Sequence, residues 1–247
     1  MIISPELEVR DITVYMDSLF VLDKISLHIC SEEFVTILGP SGCGKSTLFS
    51  VIAGLIKPTS GSVYLHGKSV TGTLGLVSYM TQKDLLLPWR SILDNVSLPL
   101  VLQGESWQNA RKVSASYFSL FGLKGFEKSY PMELSGGMKQ RAALLRTILF
   151  RKSVLLLDEP FGRLDAITKH TMQNWLLEIA QKMKATILMI THDVEEALYL
   201  SDRLYVLSKL PGKILEEIQI TLPKPRNSTM LASKDAVEFH EKILSLL

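Results

Sequence analysis

The chain has 247 residues, of which 47% are hydrophobic, enough to bury a sizeable core in one large α/β domain. Lysine and arginine number 27 against 25 aspartates and glutamates, and the resulting net charge of +2 gives no electrostatic indication of a nucleic-acid partner. Two cysteines exclude a small disulfide framework, and because neither a signal peptide nor an apolar run of roughly 18 residues is evident, we expect a soluble chain in a reducing compartment.

The N-terminal part of the chain alternates strand and turn signals. Three short apolar patterns lie between residues 6 and 38, and the third, FVTILG, is a continuous apolar run that ends in glycine, as expected for a buried strand before a phosphate loop. A helix is predicted from Lys45 to about Leu55, where the turn cluster KPTSG follows. Residues 62–81 return to strands, with a hairpin around Gly67.

The pattern becomes helical from Lys83 to about Arg151, where apolar residues recur at three- and four-residue spacing. Strand signals resume at residues 153–158 and 185–192, and each run is followed by a helix, which is typical of a parallel sheet covered on both faces. A hairpin that turns at Pro211-Gly212 and a helix over residues 234–247 complete the chain.

A phosphate loop is indicated at residues 39–47, which read GPSGCGKST between the predicted strand and helix. Glycines permit a close backbone approach, and the N–H groups of the loop and of the helix N-terminus attract phosphates. Lys45 is expected to bridge the β- and γ-phosphates, and Ser46 to give its hydroxyl to Mg²⁺. Cys43 is interpreted as a small filler, although its position at a helix N-terminus favours a lowered thiol pKa. The predicted nucleotide-binding residues are Gly39, Pro40, Ser41, Gly42, Cys43, Gly44, Lys45, Ser46 and Thr47.

Two acids follow the predicted buried strand at residues 153–158, at the sheet edge where α/β proteins bind ligands. Asp158 suits a contact with Mg²⁺. Glu159 points to the other side of the pleat and is suited to polarise water for attack on the γ-phosphate. These signals predict an α/β fold: a P-loop NTPase (RecA-like) core with an antiparallel β subdomain and an inserted α-helical subdomain.

One continuous domain over residues 1–247 accommodates all of these elements. Its parts are the core with the N-terminal β subdomain at 1–82 and 151–220, the helical subdomain at 83–150, and a tail at 221–247.

Residues 134–141, LSGGMKQR, resemble the signature of ABC ATPases, and the match to that family extends over roughly residues 6–220. Other family motifs occur in the expected order: an adenine-stacking aromatic at Tyr15, the Q-loop glutamine at Gln82, the D-loop aspartate at Asp165 and the switch histidine at His192. The chain departs from the family at Arg163, where small residues are common, so that D-loop contacts across a dimer are expected to differ.

The resemblance implies ATP as the nucleotide and a head-to-tail homodimer that sandwiches each ATP between two chains. Ser135, Gly136 and Gly137 of one chain would begin a helix whose N-terminus caps the γ-phosphate held by the phosphate loop of the other. The resemblance further implies catalytic roles for Glu159, His192 and Gln82, a nucleotide contact for Asp165, and Mg²⁺ ligation by Ser46, Gln82 and Asp158.

The segment from Leu85 to Trp89 is apolar but broken by Pro88, which is too irregular for a core helix. We interpret it as one wall of a groove for a helix of a membrane permease, with a packed loop of the helical insertion as the alternative. Together with LPGKILEEIQITLPKPR at residues 210–226, it resembles the importer subgroup for nitrate, sulfonates, taurine and thiamin-precursor pyrimidines.

The subgroup resemblance implies an ATPase subunit that couples dimer closure to solute uptake at the cytoplasmic face of the cell membrane. Its partners would be permease subunits and, indirectly, a solute-binding protein, with no nucleic acid. The alternative is a soluble ABC ATPase that acts on nucleic acid or ribosomes. Such proteins usually carry two cassettes or a long coiled-coil insertion, which this sequence lacks.

Overall fold

The computed structural model describes residues 5–162, 164–224, 226, 230 and 233–247, and Arg163 of the predicted D-loop lies outside them. The described residues form two sheets. The first is antiparallel and has the order β2-β1-β4-β5. Its strands are β1 (Leu7–Met16), β2 (Leu19–Ile29), β4 (Ser60–Leu65) and β5 (Lys68–Ser69).

A bulge in β1 keeps the apolar residues of this sheet on the core side. Asp11 has a φ of 49°, and the register of β1 shifts between Val9 and Ile12. Because the extra residue resets the period-2 alternation, Val9 and Ile12 are both buried although three positions separate them.

The second sheet is mixed and has the order β10-β9-β3-β8-β7-β6. All of its neighbouring pairs are parallel except β9 and β10, which form the predicted hairpin after Leu207. The continuous apolar runs form the central strands, which are buried along their whole length, as the sequence predicted. The strands are β3 (Phe34–Leu38), β6 (Ser78–Met80), β7 (Val154–Asp158), β8 (Thr186–Thr191), β9 (Arg203–Leu207) and β10 (Ile214–Gln219).

Seven α-helices are found in the described residues: α1 (Lys45–Ile52), α2 (Ile92–Leu102), α3 (Trp107–Tyr117), α4 (Gly136–Ile148), α5 (Ala166–Met183), α6 (Val194–Leu200) and α7 (Lys234–Leu246). A 3-10 turn covers Pro131–Glu133. Helix α1 ends three residues before the predicted Leu55, because the chain reverses at Gly54 (φ 77°). None of the described helices combines the length and apolarity of a bilayer-spanning segment.

Six of the seven helices begin with a serine or aspartate whose side chain accepts an N–H bond from the first turn. Helix α1 is the exception. It begins after Gly44, which has no side chain to cap the helix. The N–H groups of its first turn are therefore left for a partner from outside the helix.

Arg203 forms a buried polar centre between the two sheets, with 4% of its surface exposed. Its guanidinium makes two bonds of 2.8 Å to the carboxylate of Glu33 and one of 2.7 Å to Glu217. It also donates to the hydroxyl of Tyr205 at 2.9 Å. These contacts join the strands β9 and β10 to the turn before β3.

Replacing Arg203 with alanine should lower the free energy of unfolding by about 3 kcal/mol, because the carboxylate of Glu33 loses its partner in a poorly solvated place. Arg10→Ala is the control, since Arg10 forms an exposed ion pair with Glu8 and its loss should leave the stability almost unchanged. Urea denaturation followed by circular dichroism measures both variants. Equal stability of the two would contradict the importance of the Arg203 network.

Candidate functional site

The loop between β3 and α1 requires glycine at two positions. Gly42 and Gly44 have φ values of 80° and 101°, which side-chain-bearing residues rarely adopt. At Gly44 a Cβ would also lie 2.8 Å from the side chain of Leu22 and 3.1 Å from that of Val21. Strand β2 therefore packs directly against the loop.

Lys45 is the first residue of α1, and its side chain turns back over this loop. The ammonium donates to the carbonyl of Gly39 at 2.7 Å and to that of Pro40 at 2.8 Å, and 5% of the residue is exposed. A positive charge and the uncapped N–H groups of α1 thus meet at one point, an arrangement suited to bind phosphate oxygens.

The thiol of Cys43 is buried beneath the loop. Burial raises its pKa, and the positive charge of Lys45 opposes the rise without reversing it. The expectation of a lowered thiol pKa is therefore wrong, because desolvation of the thiolate outweighs the helix N-terminus. Cys43 fills space next to Gly39, as its interpretation as a small filler predicted.

Ser46 and Asp158 form an oxygen-rich pair beside the loop. The hydroxyl of Ser46 donates to Oδ1 of Asp158 at 3.3 Å, and the hydroxyl of Tyr79 donates to Oδ2 at 3.2 Å. Burial raises the pKa of Asp158, while the bonds from Ser46 and Tyr79 oppose that rise. Burial also raises the pKa of Tyr79, so this phenol stays protonated and able to donate.

This pair fits Mg²⁺, which binds hard oxygen ligands and usually combines one or two carboxylates with phosphate oxygens of the substrate. The described residues contain no group of three or more histidine, cysteine or acidic side chains that could hold a metal by themselves. A cation held by Ser46, Asp158 and Gln82 would thus depend on the phosphates for its remaining ligands.

Glu159 lies between two of the residues predicted to act with it. Its Oε2 accepts a bond of 2.8 Å from the amide of Gln82, and its Oε1 lies 3.2 Å from Nδ1 of His192. The three residues follow the ends of β6, β7 and β8, which are neighbours in the sheet. The structure therefore brings Gln82, Glu159 and His192 together at one edge.

The backbone of Glu159 is held in an unusual conformation. Its φ is 45°, in the left-handed region that costs a residue with a side chain free energy, and its N–H donates to the carbonyl of Ile190 at 3.0 Å. This bond ties the turn after β7 to β8. The carboxylate is thus oriented by its backbone as well as by its two side-chain neighbours.

The signature residues form the start of helix α4. The side chain of Ser135 caps α4 by accepting from the N–H of Met138 at 3.3 Å, and Gly136 and Gly137 are the first two residues of that helix. Among the described residues, no hydrogen bond or ion pair joins Ser135, Gly136 or Gly137 to the phosphate loop. Within one chain the two predicted phosphate-binding points thus make no contact with each other.

Asp165 and Tyr15 have defined local roles. Asp165 caps α5 through a 3.0 Å bond from the N–H of Thr168, and this hydrogen bond lowers the pKa of Asp165. Tyr15 is half exposed and stacks on Phe20 with ring centroids 4.6 Å apart. The hairpin that carries Tyr15 continues into the part of β2 that packs against Gly44.

Two contacts of the site could not be foreseen from the sequence. Tyr79 reaches Asp158 because β6 pairs with β7, and a single sequence does not reveal which strands are neighbours. Gln140 of the signature helix donates to the carbonyl of Pro160, next to Glu159. The position of Gln140 within the motif LSGGMKQR is the one signal in the sequence, and it does not indicate a partner.

The family model described as ABC transporter matches residues 22–162. The chain is 47% identical over 206 residues to the formylaminopyrimidine import ATP-binding protein ThiZ of Halalkalibacterium halodurans, covering 83% of this chain and 80% of ThiZ. It is 44% identical over 236 residues to the nitrate import ATP-binding protein NrtD of Synechocystis, covering 93% of this chain and 89% of NrtD.

The fold is also similar to a solved structure of a dimeric bacterial ABC transporter cassette, MJ0796. The TM-score is 0.76 at 29% identity, and the match covers 87% of this chain and 98% of the cassette. A second structure of that cassette, a dimeric post-hydrolysis state with ADP and Pi, has a TM-score of 0.75 at 28% identity, over 87% of this chain and 98% of the cassette.

Lys45→Ala should weaken ATP binding by about 10- to 100-fold, the cost of one charge-assisted hydrogen bond. Lys57→Ala serves as the matched control, because Lys57 is an exposed lysine in the turn after α1. Titration with a fluorescent ATP analogue measures the affinity of both variants. Unchanged affinity in Lys45→Ala would contradict the phosphate-binding role of Lys45.

Proposed function

The chain belongs to the ABC transporter family, and we propose that it is the subunit of an importer that binds and hydrolyses ATP to drive solute uptake. The observation that carries this proposal is the cluster of Gln82, Glu159 and His192 beside the Ser46–Asp158 pair, in a chain similar to two import ATP-binding proteins. A soluble ABC ATPase that acts on nucleic acid or ribosomes gains no support from the charge of the chain or from these relatives.

ATP binding begins at the phosphate loop. The uncapped N–H groups of α1 and the ammonium of Lys45 bind the phosphates, and the face of Tyr15 that is not stacked on Phe20 receives the adenine. Ser46, Asp158 and Gln82 would hold Mg²⁺, which would supply positive charge to offset that of the phosphates.

Hydrolysis depends on the carboxylate of Glu159. This carboxylate accepts a proton from the attacking water. The amide of Gln82 and the imidazole of His192 orient the carboxylate, because each contacts one of its two oxygens. An ionised carboxylate can only accept, so Nδ1 of His192 carries the proton in this contact. The left-handed backbone of Glu159 contributes to the same preorganisation.

Two copies of the chain are needed to complete each site in this proposal. Ser135 and Gly136 at the start of α4 are exposed, and no described hydrogen bond joins them to the phosphate loop of their own chain, so this helix start can cap the γ-phosphate held by a second copy. The dimeric structures of the similar cassette support a dimer, and the placement of Ser135–Gly137 suggests that the two copies pair head to tail. Asp165, which caps the neighbouring helix α5, would contact the nucleotide from the same side.

The helical insertion at 83–150 would connect this dimer to the membrane, with 1–82 and 151–220 as the core and 221–247 as a tail. Its segment Leu85–Trp89 has features both of a wall for a permease helix and of a packed loop, the two interpretations that the sequence allowed. Leu86 is packed in the core, whereas 57% of Leu85 and 71% of Trp89 are exposed. Exposed apolar residues on a rigid irregular segment suit the docking of a permease helix.

The segment is rigid because polar side chains bind its backbone. The amide of Asn95 accepts from the N–H of Leu87 at 2.6 Å and donates to the carbonyls of Leu87 and Arg90 at 3.1 Å. Arg146 of α4 donates to the carbonyl of Leu85 at 2.7 Å and also to that of Asp84. The exposed side chains are therefore presented in a fixed arrangement.

These features support a location at the inner face of the cell membrane, bound to permease subunits that receive solute from a binding protein. The named relatives import formylaminopyrimidine and nitrate, and we propose a small nitrogen- or sulfur-containing solute of this group as the cargo. The permease and the binding protein would select the solute, because the cassette contacts only ATP and the permease.

Glu159→Gln should bind ATP with near-normal affinity but lower the turnover by about 10²–10⁴-fold, because the amide cannot accept the proton. It should also accumulate an ATP-bound dimer, since the γ-phosphate that holds the two copies together is not removed. Steady-state ATPase assays and light scattering with ATP test both points. Glu195→Gln, an exposed acid of α6, is the control, and a parental rate in Glu159→Gln would contradict the assignment.

Trp89→Ala should reduce recovery of the permease when the tagged chain is purified from detergent-solubilised membranes, because it removes an exposed anchor of the groove. Leu102→Ala is the matched control, as Leu102 is 69% exposed on α2 but lies away from Leu85–Trp89 in sequence. Mass spectrometry identifies the co-purified membrane protein. A parental chain that recovers no permease would contradict the importer proposal.

A further inference from the structure

Lys169 binds two acids that belong to the turn after His192. It lies on α5, and its ammonium donates to Oδ2 of Asp193 at 2.6 Å and contacts Oε1 of Glu196 at 2.7 Å. The N–H of Lys169 donates to the carbonyl of Asp165 at 2.8 Å, so Lys169 lies in the first turn of α5.

The acids that Lys169 holds also fix the backbone on both sides of His192. Oε2 of Glu196 accepts from the hydroxyl of Thr191 at 2.5 Å, and that hydroxyl accepts from the N–H of Asp193 at 3.1 Å. Oδ1 of Asp193 in turn accepts from the N–H of Glu196 at 3.1 Å. The residues before and after His192 thus belong to one network, with Lys169 as its cation.

Lys169 also lies close to the reacting groups without contacting them through an observed hydrogen bond. It lines a cleft of about 110 Å³ together with Glu159 and His192. The ammonium of Lys169 pairs with Asp193 and Glu196 rather than with Glu159. Nδ1 of His192 is the atom that contacts Oε1 of Glu159, at 3.2 Å. Lys169 is thus connected to Glu159 only indirectly, through the turn that carries His192.

The network needs its cation because Glu196 is 4% exposed. Burial raises the pKa of Glu196, and the bond with Lys169 opposes that rise. Without Lys169, a buried carboxylate would lie next to that of Asp193 with no positive charge between them. Either protonation of Glu196 or movement of the turn would relieve the repulsion, and both weaken the bonds that flank His192.

We propose that Lys169 is a positioning residue for ATP hydrolysis, which ties the His192 turn to the first turn of α5 and so holds the imidazole against Glu159. The proposal rests on the ATPase function proposed above. It adds that the start of α5, where Asp165 lies, and the switch histidine move as one unit. A displacement of the Asp165 turn would therefore reach His192 through the two ion pairs of Lys169.

Lys169→Met tests this role because methionine keeps the length and loses the charge. We expect kcat to fall roughly tenfold or more while the affinity for an ATP analogue stays within about twofold, as for a misplaced catalytic group. Lys169→Arg should restore most of kcat. Lys182→Met is the control on the same helix, since Lys182 forms an exposed ion pair with Glu178 at 3.7 Å.

Two further measurements separate positioning from general stability. In the His192→Ala background, single-turnover hydrolysis should be slowed little by Lys169→Met, because the residue being positioned is already absent. Hydrogen–deuterium exchange should become faster at the amides of Asp193 and Glu196 in Lys169→Met, with little change in β3 or β7. The double variant Lys169→Met/Glu196→Gln should recover part of kcat, because it removes the unpaired buried charge.

The proposal is overturned by a parental kcat in Lys169→Met, by an equal loss of rate with and without His192, or by unchanged exchange at residues 193–196. If Lys169→Met does not fold stably, the double variant Lys169→Met/Glu196→Gln takes its place. In that variant, slower hydrolysis at the parental ATP affinity supports the positioning role, and a parental rate of hydrolysis contradicts it. Absence of ATPase activity in the parental chain would instead overturn the ATPase function, and the exchange measurement would still decide whether Lys169 holds the turn.

Discussion

The site depends on the alignment of four parallel strands whose carboxyl ends meet at one edge. Strand β3 leads into the phosphate loop, β6 into Gln82, β7 into Asp158 and Glu159, and β8 into His192. The residues at the ends of these strands carry different chemical groups: phosphate-binding amides, an amide side chain, carboxylates and an imidazole. These groups lie together only because the four strands are neighbours in this order. The buried apolar runs that fix this order are therefore as necessary to the chemistry as the polar residues at their ends.

Whether a helix at this edge of the sheet has a side-chain cap decides whether its first N–H groups are free to bind phosphate. A serine or aspartate at the start of α1 would satisfy the N–H groups that a phosphate needs, whereas Gly44 leaves them free and lets the chain turn at φ 101°. At α4 the cap is retained, since Ser135 binds the N–H of Met138. The start of the signature helix thus has a side-chain cap that α1 lacks, and Gly136 at its first position is exposed.

Much of this fold could be predicted from the sequence because the informative residues are local. The apolar runs, the glycine pattern at 39–44 and the serine before α4 each indicate their own structure without reference to the rest of the chain. Contacts between strands are different in kind. The bonds from Tyr79 to Asp158 and from Lys169 to Asp193 join residues that are distant in sequence, and nothing in either residue type indicates the partner. Burial of Cys43 is likewise a property of the folded loop, which is why its pKa was misjudged.

Helix α4 connects the parts of the molecule that the proposed function must couple. Near its start Gln140 donates to Pro160, beside Glu159, and near its end Arg146 donates to the carbonyls of Asp84 and Leu85 in the wall of the groove. Its N-terminus is the part that, in the proposed dimer, would contact the nucleotide of a second copy. In the proposed dimer, a shift of this 13-residue helix on closure would displace both the turn that carries Glu159 and the Leu85–Trp89 wall, because its side chains bind both. Closure around ATP and movement at the wall would then be one displacement, which would couple nucleotide binding to the proposed permease contact.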